Sequence, residues 1–317
     1  METALHSVFT ASGPEAVEVL HLISIFVALC SAIWLAVALA LFFALGRRRH
    51  ARPSPLSLDT QAERRAQATV TGLTVLTALC LIGLTAVSYA TQAAITADRA
   101  PSVRVRVTGH QFWWEAQYRE TKPSEWFTTA NEIVVPVGEH VLLELEASDV
   151  IHSLWIPSLM GKQDLIPGQQ NVLRITAARE GVYRGQCAEF CGLQHAHMAL
   201  LVRALSHEEY TQWRARQLEP ASEAARQNEA GERVYISRGC GMCHTIKGTT
   251  SGGRTGPDLT HVGSRETVAA GLLPRSRGTL AAWIADPQGL KPGTQMPRIT
   301  LSSDELQDLS AYLEALK

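Results

Sequence analysis

Two stretches of the chain, residues 19–45 and 66–97, contain no Asp, Glu, Lys or Arg. Each is longer than the roughly 20 apolar residues that cross a bilayer, and core helices of soluble proteins rarely stay uncharged for so long. The pattern therefore predicts two transmembrane helices. After Pro101 the period shortens. Val103-Arg-Val-Arg-Val107, Glu132-Ile-Val-Val135, Val141-Leu-Leu-Glu-Leu145, Val172-Leu-Arg-Ile175 and Ala199-Leu-Leu-Val202 are brief alternating or apolar runs, as strands with one buried face require. Turn residues separate them at Pro136-Val-Gly138, Pro167-Gly168 and Glu180-Gly181. No helical period of useful length intervenes before Ser206, so residues 99–205 are expected to form an antiparallel sandwich or Greek-key barrel. Residues 206–218 turn helical, Pro220 interrupts them, and 221–229 is polar and Ala-rich, suited to a linker or a helix start, so 206–229 reads as a linker between domains. A second exported domain, 230–317, ends in the capping box Ser302-Ser-Asp-Glu305, followed by Leu306, Leu309, Leu313 and Leu316 on one helical stripe.

Charge orients this layout. Between the two apolar stretches, Arg47, Arg48, Arg49, Arg52, Arg64 and Arg65 face Asp59 and Glu63, six cations against two anions. Arginine-rich loops stay cytoplasmic. The N-terminus and everything after about Asp98 are then expected on the periplasmic or outer face of a bacterial membrane. Residues 1–16 carry Glu2 and Glu15 and no Lys or Arg, unlike the charged start of a secretory signal, so the first helix is expected to be retained. A net charge of −1 gives no reason to expect a nucleic-acid partner.

Six cysteines divide by context. Cys30 and Cys80 lie in the apolar stretches and read as small packing residues. Cys187 and Cys191 belong to Cys187-Ala-Glu-Phe-Cys191-Gly-Leu-Gln-His195-Ala-His197-Met198, where two thiols, two imidazoles and a thioether fall within a dozen residues. Soft donors of this kind suit copper or zinc, while magnesium and calcium want oxygen. A disulfide or a structural zinc site is the competing reading. Zinc has no use for Met198, and a mononuclear copper site of the His2Cys type leaves one cysteine idle. Two coppers bridged by both thiolates employ both cysteines and need two imidazoles; His195 and His197, two residues apart in a loop, cannot easily face one small cluster, so a more distant histidine is attractive. His152, in Val150-Ile-His-Ser-Leu-Trp155, fits that need, because a sandwich brings distant loops together.

Three motifs carry a family resemblance: Cys187-Ala-Glu-Phe-Cys191-Gly with His195 and Met198, His152-Ser-Leu-Trp-Ile-Pro157, and Gly109-His-Gln-Phe-Trp-Trp114. Together with the two apolar helices they resemble subunit II of cytochrome c oxidase over residues 1 to about 205. The resemblance implies a cupredoxin fold with a binuclear CuA centre, held by the side chains of His152, Cys187, Cys191, His195 and Met198 and the backbone carbonyl of Glu189. It also implies a magnesium or manganese ion shared with subunit I through the Glu189 side chain. Full retention of the copper ligands favours a cytochrome c type of donor over quinol. One position departs from the family: its aromatic box often opens with Trp, taken as the electron entry point, and here Phe112 precedes Trp113 and Trp114.

Cys240-Gly-Met-Cys243-His244 has the pattern that attaches c-type haem, two thiols for the vinyl groups and an imidazole for the iron. A thioredoxin-like pair or a zinc knuckle needs no trailing histidine. By elimination among five methionines the sixth ligand is Met296, with His261 as its competitor. Residues 230–317 resemble a class I cytochrome c, including Gly256-Pro-Asp-Leu259 and the final amphipathic helix, and Trp283 is expected either against the haem or in the plain core. The whole chain thus resembles the fused subunit II of caa3-type oxidases: a transmembrane hairpin over 1–98, a cupredoxin-like Greek-key sandwich over 99–205 and an all-α cytochrome domain over 230–317. The expected path runs from an external donor, a c-type cytochrome or a quinol-cytochrome c reductase, through haem c and CuA to subunit I, with subunit III as a further partner. Oxygen reduction would lie in subunit I. Service to a nitric oxide reductase, or as a membrane-tethered carrier without a dedicated enzyme, are the alternatives.

Overall fold

The computed structural model describes residues 5–48, 60–97 and 99–317. The two apolar stretches form α1 (Pro14–Arg48) and α2 (Thr60–Thr96). Both are wider than their uncharged cores, because the helical backbone continues into polar flanks; α1 opens on Pro14, whose fixed φ suits the first helical position. Each is long and apolar enough to cross a membrane, and the apolar window of each is unburied. A lipid-facing helix has this pattern, whereas a soluble core helix would cover such side chains. Glu2, Arg49, Arg52, Asp59 and Asp98 lie outside the described residues.

The part after α2 opens with ten strands: β1 (Val103–His110), β2 (Trp113–Tyr118), β3 (Phe127–Ala130), β4 (Glu132–Pro136), β5 (Val141–Ala147), β6 (His152–Trp155), β7 (Gln163–Leu165), β8 (Asn171–Ile175), β9 (Gly181–Cys187) and β10 (Ala199–Leu205). They form two five-stranded sheets, ordered β3-β2-β1-β5-β8 and β4-β10-β9-β6-β7. The alternation read in β1 is real. Val103, Val105 and Val107 are buried, while Arg106 on the outer face pairs with Glu146 across the strand boundary at 3.4 Å. The expectation of an all-antiparallel sandwich needs correction. β1 pairs with β5, and β4 with β10, in parallel. Parallel neighbours need a crossover between them, supplied by β2 to β4 for the β1–β5 pair and by β5 to β9 for the β4–β10 pair. Ahead of α1, Leu5 bonds in register with β9, its N–H to the Val182 carbonyl at 2.8 Å and its carbonyl to the Arg184 N–H at 2.9 Å.

Within the stretch read as a linker, the helical pattern over 206–218 forms a helix as expected, and that helix is packed. Ser206 caps α3 (His207–Leu218) with a capping box, and Tyr210 and Trp213 join the sandwich core, where Trp213 meets Tyr118 edge-on at 5.2 Å. Tyr210, Trp213 and Gln217, at i, i+3 and i+7, are its buried residues and give the helix a single adhesive face. Ala221 and Ala225, the latter in α4 (Glu223–Arg226), are buried in a second core. That core gathers α5 (Glu229–Ser237), the short β11 (Thr267–Val268) and β12 (Leu273–Pro274), α6 (Arg277–Ala285), α7 (Pro287–Leu290) and α8 (Ser303–Ala315). Ser302 and Glu305 form the anticipated capping box on α8, and Leu309, Leu313 and Leu316 are buried. α5 crosses α8 closely at Gly231, where a Cβ would stand 2.5 Å from the Asp308 carbonyl oxygen.

Candidate metal centre and cofactor cavity

Cys187 closes β9, residues 188–198 loop over to β10, and His152 opens β6, whose Leu154 is registered against Cys187. Strand pairing thus delivers the distant imidazole to the loop. The two sulfurs lie 3.8 Å apart, far beyond a disulfide bond of about 2.05 Å, and both cysteines are free. Each has its own imidazole: His152 Nδ1 stands 3.9 Å from Cys187 Sγ, and His195 Nδ1 3.8 Å from Cys191 Sγ. Each also has one weak donor, the Glu189 carbonyl at 3.2 Å from Cys187 and the Met198 thioether at 3.9 Å from Cys191. All six anticipated donors converge, while His197 turns away to Gln194 Oε1 at 2.8 Å. Hydrogen bonding from the Cys191 thiol pulls Cys187 down to about 3, and the same contact pushes Cys191 far up. Two sulfurs this close, each beside an imidazole and a weak donor, form a donor set that suits a soft cation.

Surrounding residues fix this geometry. His152 Nε2 meets Asp149 Oδ1 at 2.8 Å, and Asp149 Oδ2 accepts the Gln111 N–H at 2.7 Å. Gln111 Nε2 donates to the Cys191 carbonyl at 2.5 Å. Gly109 lets the His152 ring lie against β1, since a Cβ there would stand 2.8 Å from His152 Cδ2. Asp149 and Gln111 were not anticipated from the sequence; a carboxylate three residues before a ligating histidine is the one signal that could have pointed to Asp149.

The attachment motif follows α5 in a tight turn entered through Gly239 in the left-handed region, φ 73°. His244 Nδ1–H donates to the Pro257 carbonyl at 2.7 Å, which leaves Nε2 as the nitrogen free to ligate. Burial lowers the His244 pKa, so the ring is held neutral. A cavity opens beside it, walled by Cys243, His244, Trp283, Ile284 and Met296. Cys240 packs against the helical core next to it, and His261 lies elsewhere, beside Trp213 and Lys317. Gly256 is obligatory at this wall, for a Cβ would come within 2.6 Å of His244 Cε1.

Phe112 and Trp113 of the sandwich also line the cavity. Phe112 is 4% exposed, and its ring packs on the copper loop at Gly192, where a Cβ would stand 3.1 Å from Phe112 Cζ. The two folds are joined by polar contacts that the sequence did not announce. Gln194 Nε2 donates to the Pro292 carbonyl at 2.9 Å, the Ala199 N–H to the Ala270 carbonyl at 3.0 Å, and the Glu266 N–H to the Glu132 carboxylate. Lys291, 2% exposed, donates from Nζ to the carbonyls of Phe112 at 2.8 Å and Ala269 at 3.0 Å.

Comparison with known proteins agrees with this division. Residues 122–205 match the family model for the periplasmic domain of cytochrome c oxidase subunit II, and residues 228–317 match that for cytochrome c. Cytochrome c oxidase subunit 2 of Alkalihalophilus pseudofirmus is 36% identical over 293 residues, 89% of this chain and 82% of that protein. The Bacillus subtilis protein of the same name is 33% identical over 226 residues, 67% of this chain and 62% of its own length. A crystal structure of the periplasmic domain of subunit II from Bradyrhizobium japonicum is 28% identical and covers 38% of this chain and 95% of that one, with a TM-score of 0.35. On the length and identity of these matches, this chain belongs to the cytochrome c oxidase subunit 2 family.

Proposed function

We propose that the chain is the electron-transfer subunit of a haem-copper oxidase, taking electrons from an external donor into haem c and delivering them through a binuclear CuA centre to subunit I, where O2 is reduced to water. The observation that carries this reading is the apposition of the two candidate sites across one residue: Phe112 lines the His244–Met296 cavity and touches the copper loop at Gly192. His152, Cys187, Cys191, His195, Met198 and the Glu189 carbonyl would hold the coppers, and Cys240, Cys243, His244 and Met296 would hold the haem. When bound, both groups supply one-electron couples, with the haem potential set by its axial ligands.

The protein's own contribution is rigidity and dryness. At the copper site Cys187, Cys191 and Met198 are at most 4% exposed, and His152 is fully buried and anchored by Asp149. Donors fixed in this way need little rearrangement when an electron arrives. The exposed side chain of Glu189 is free to meet a magnesium or manganese ion shared with subunit I, while its carbonyl faces Cys187. α1 and α2 anchor the subunit in the inner membrane of a bacterium, with both exported folds on the outer face, beside subunits I and III. A c-type cytochrome or a quinol-cytochrome c reductase is the donor class, and it meets the haem side, since Phe112 is covered.

Purification of the complex with its chain intact tests this reading. Two coppers and one haem c per chain are expected, with oxygen uptake; nitric oxide consumption without oxygen uptake, or isolation of the chain alone, would overturn it. Cys187→Ser should remove the two-copper EPR signal while haem c persists, and Met296→Ala should leave haem attached but change its ferric spectrum.

A further inference from the structure

Lys291 is the residue at the junction that neither fold explains. It follows α7, five residues before Met296, and it is 2% exposed. A lysine is almost never buried so completely without a carboxylate, because an ammonium loses several kcal/mol of hydration. Among the described residues Lys291 makes no ion pair. Its Nζ instead donates to two backbone carbonyls, Phe112 of the sandwich and Ala269 of the helical fold. The second carbonyl is held in place at a cost, since Ala269 and Ala270 both adopt the left-handed region, φ 55° and 59°, which a residue with a Cβ seldom occupies. Strain of this kind persists where the surroundings over-determine it.

What Lys291 grips is the segment that separates the two candidate sites. On one side, 111–113 is tied to the copper loop: Gln111 bonds the Cys191 carbonyl and, through Asp149, reaches His152. On the other, Phe112 and Trp113 line the cavity that holds Met296. We propose that Lys291 is a positioning residue that pins the Met296-bearing loop of the helical fold onto the 111–113 segment, and so sets the contact through which the two redox sites exchange electrons. This rests on the proposed function for the meaning of the contact, but not for the pin itself.

The test compares the full complex carrying Lys291→Met, close in length and without a donor, with Lys291→Gln, which keeps one N–H donor pair. Hydrogen–deuterium exchange of residues 110–114 should rise at least tenfold in the Met variant, with Gln between it and the wild type, while β5 and α8 stay unchanged. Haem absorbance and the two-copper EPR signal should be retained in both, and haem-to-copper electron transfer after a flash-induced reduction should slow at least tenfold in the Met variant. Wild-type exchange in Lys291→Met would overturn the proposal. So would loss of haem or copper in both variants, which would make Lys291 a folding residue. A wild-type complex lacking copper or haem would instead overturn the functional reading, and the exchange comparison would still decide on the pin.

Discussion

Single residues at the copper loop act through the orientation they impose. Asp149 touches no sulfur, yet it fixes the His152 ring by its bond to Nε2 and the 111–113 segment by its bond to the Gln111 N–H. Removing such a partner commonly lowers metal affinity about 10–100-fold. Asp149→Ala should therefore bind copper that much more weakly in a chelator competition, with haem c unaffected; an unchanged copper affinity would leave the carboxylate without a role in the site. Gly256 is the counterpart on the haem side. Because a Cβ would stand 2.6 Å from His244 Cε1, Gly256→Ala has to displace the ring or the 255–257 turn. The expected outcome is a lower covalent haem content by pyridine haemochrome assay. Both candidate ligand sets were legible as residue types in a motif, since soft donors and the Cys-x-x-Cys-His spacing are uncommon by chance. Their supports were not, because a carboxylate or a glycine in a loop looks the same whether or not it touches a ligand.

Elements were legible in proportion to how cleanly their residues alternate. β1, β4, β5, β8 and β10 stand out as short apolar or alternating runs, whereas β9 opens on Gly181 and is interrupted by Gly185, and in β2 the inward row Trp114, Ala116, Tyr118 reads as a cluster of aromatics before it reads as a strand. Alternation tells which face is buried and not which strand lies alongside, so the parallel β1–β5 and β4–β10 pairs could not be foreseen. Helix caps, by contrast, are local and survive translation from sequence to structure. Ser302 accepts the Glu305 N–H while Glu305 reaches back to the Ser302 N–H at 2.8 Å. Ser302→Ala should cost about 1 kcal/mol of stability. Since α8 packs against α5 and α6, the loss should appear as a lower melting temperature followed at the haem band; an unshifted melt would mean that α8 is held by packing alone.

At the scale of residues 99–317, the stretch read as a linker is the packed α3 and α4, so the two folds do not meet by chance encounter. A built interface joins them, and Glu132 gives it a pH dependence. Its carboxylate, 5% exposed at the start of β4, accepts the Glu266 N–H from the helical fold. Burial pushes its pKa from 4.5 up to about 7, against the pull of the Glu266 N–H, Arg203 and Arg265. The folded form thus binds a proton that the unfolded chain has already released between these values, and stability must fall as pH rises from about 4.5 to about 7, then level off. At 1.36 kcal/mol per pKa unit the change is at most about 3 kcal/mol. Glu132→Gln keeps an acceptor for the Glu266 N–H but cannot titrate. Thermal unfolding of the complex, followed at haem c from pH 5 to pH 8, should show a wild-type melting temperature that falls relative to the variant over this range. Parallel curves would place the titration elsewhere, and a gap that widened with acidity would reverse the sign argued for Glu132.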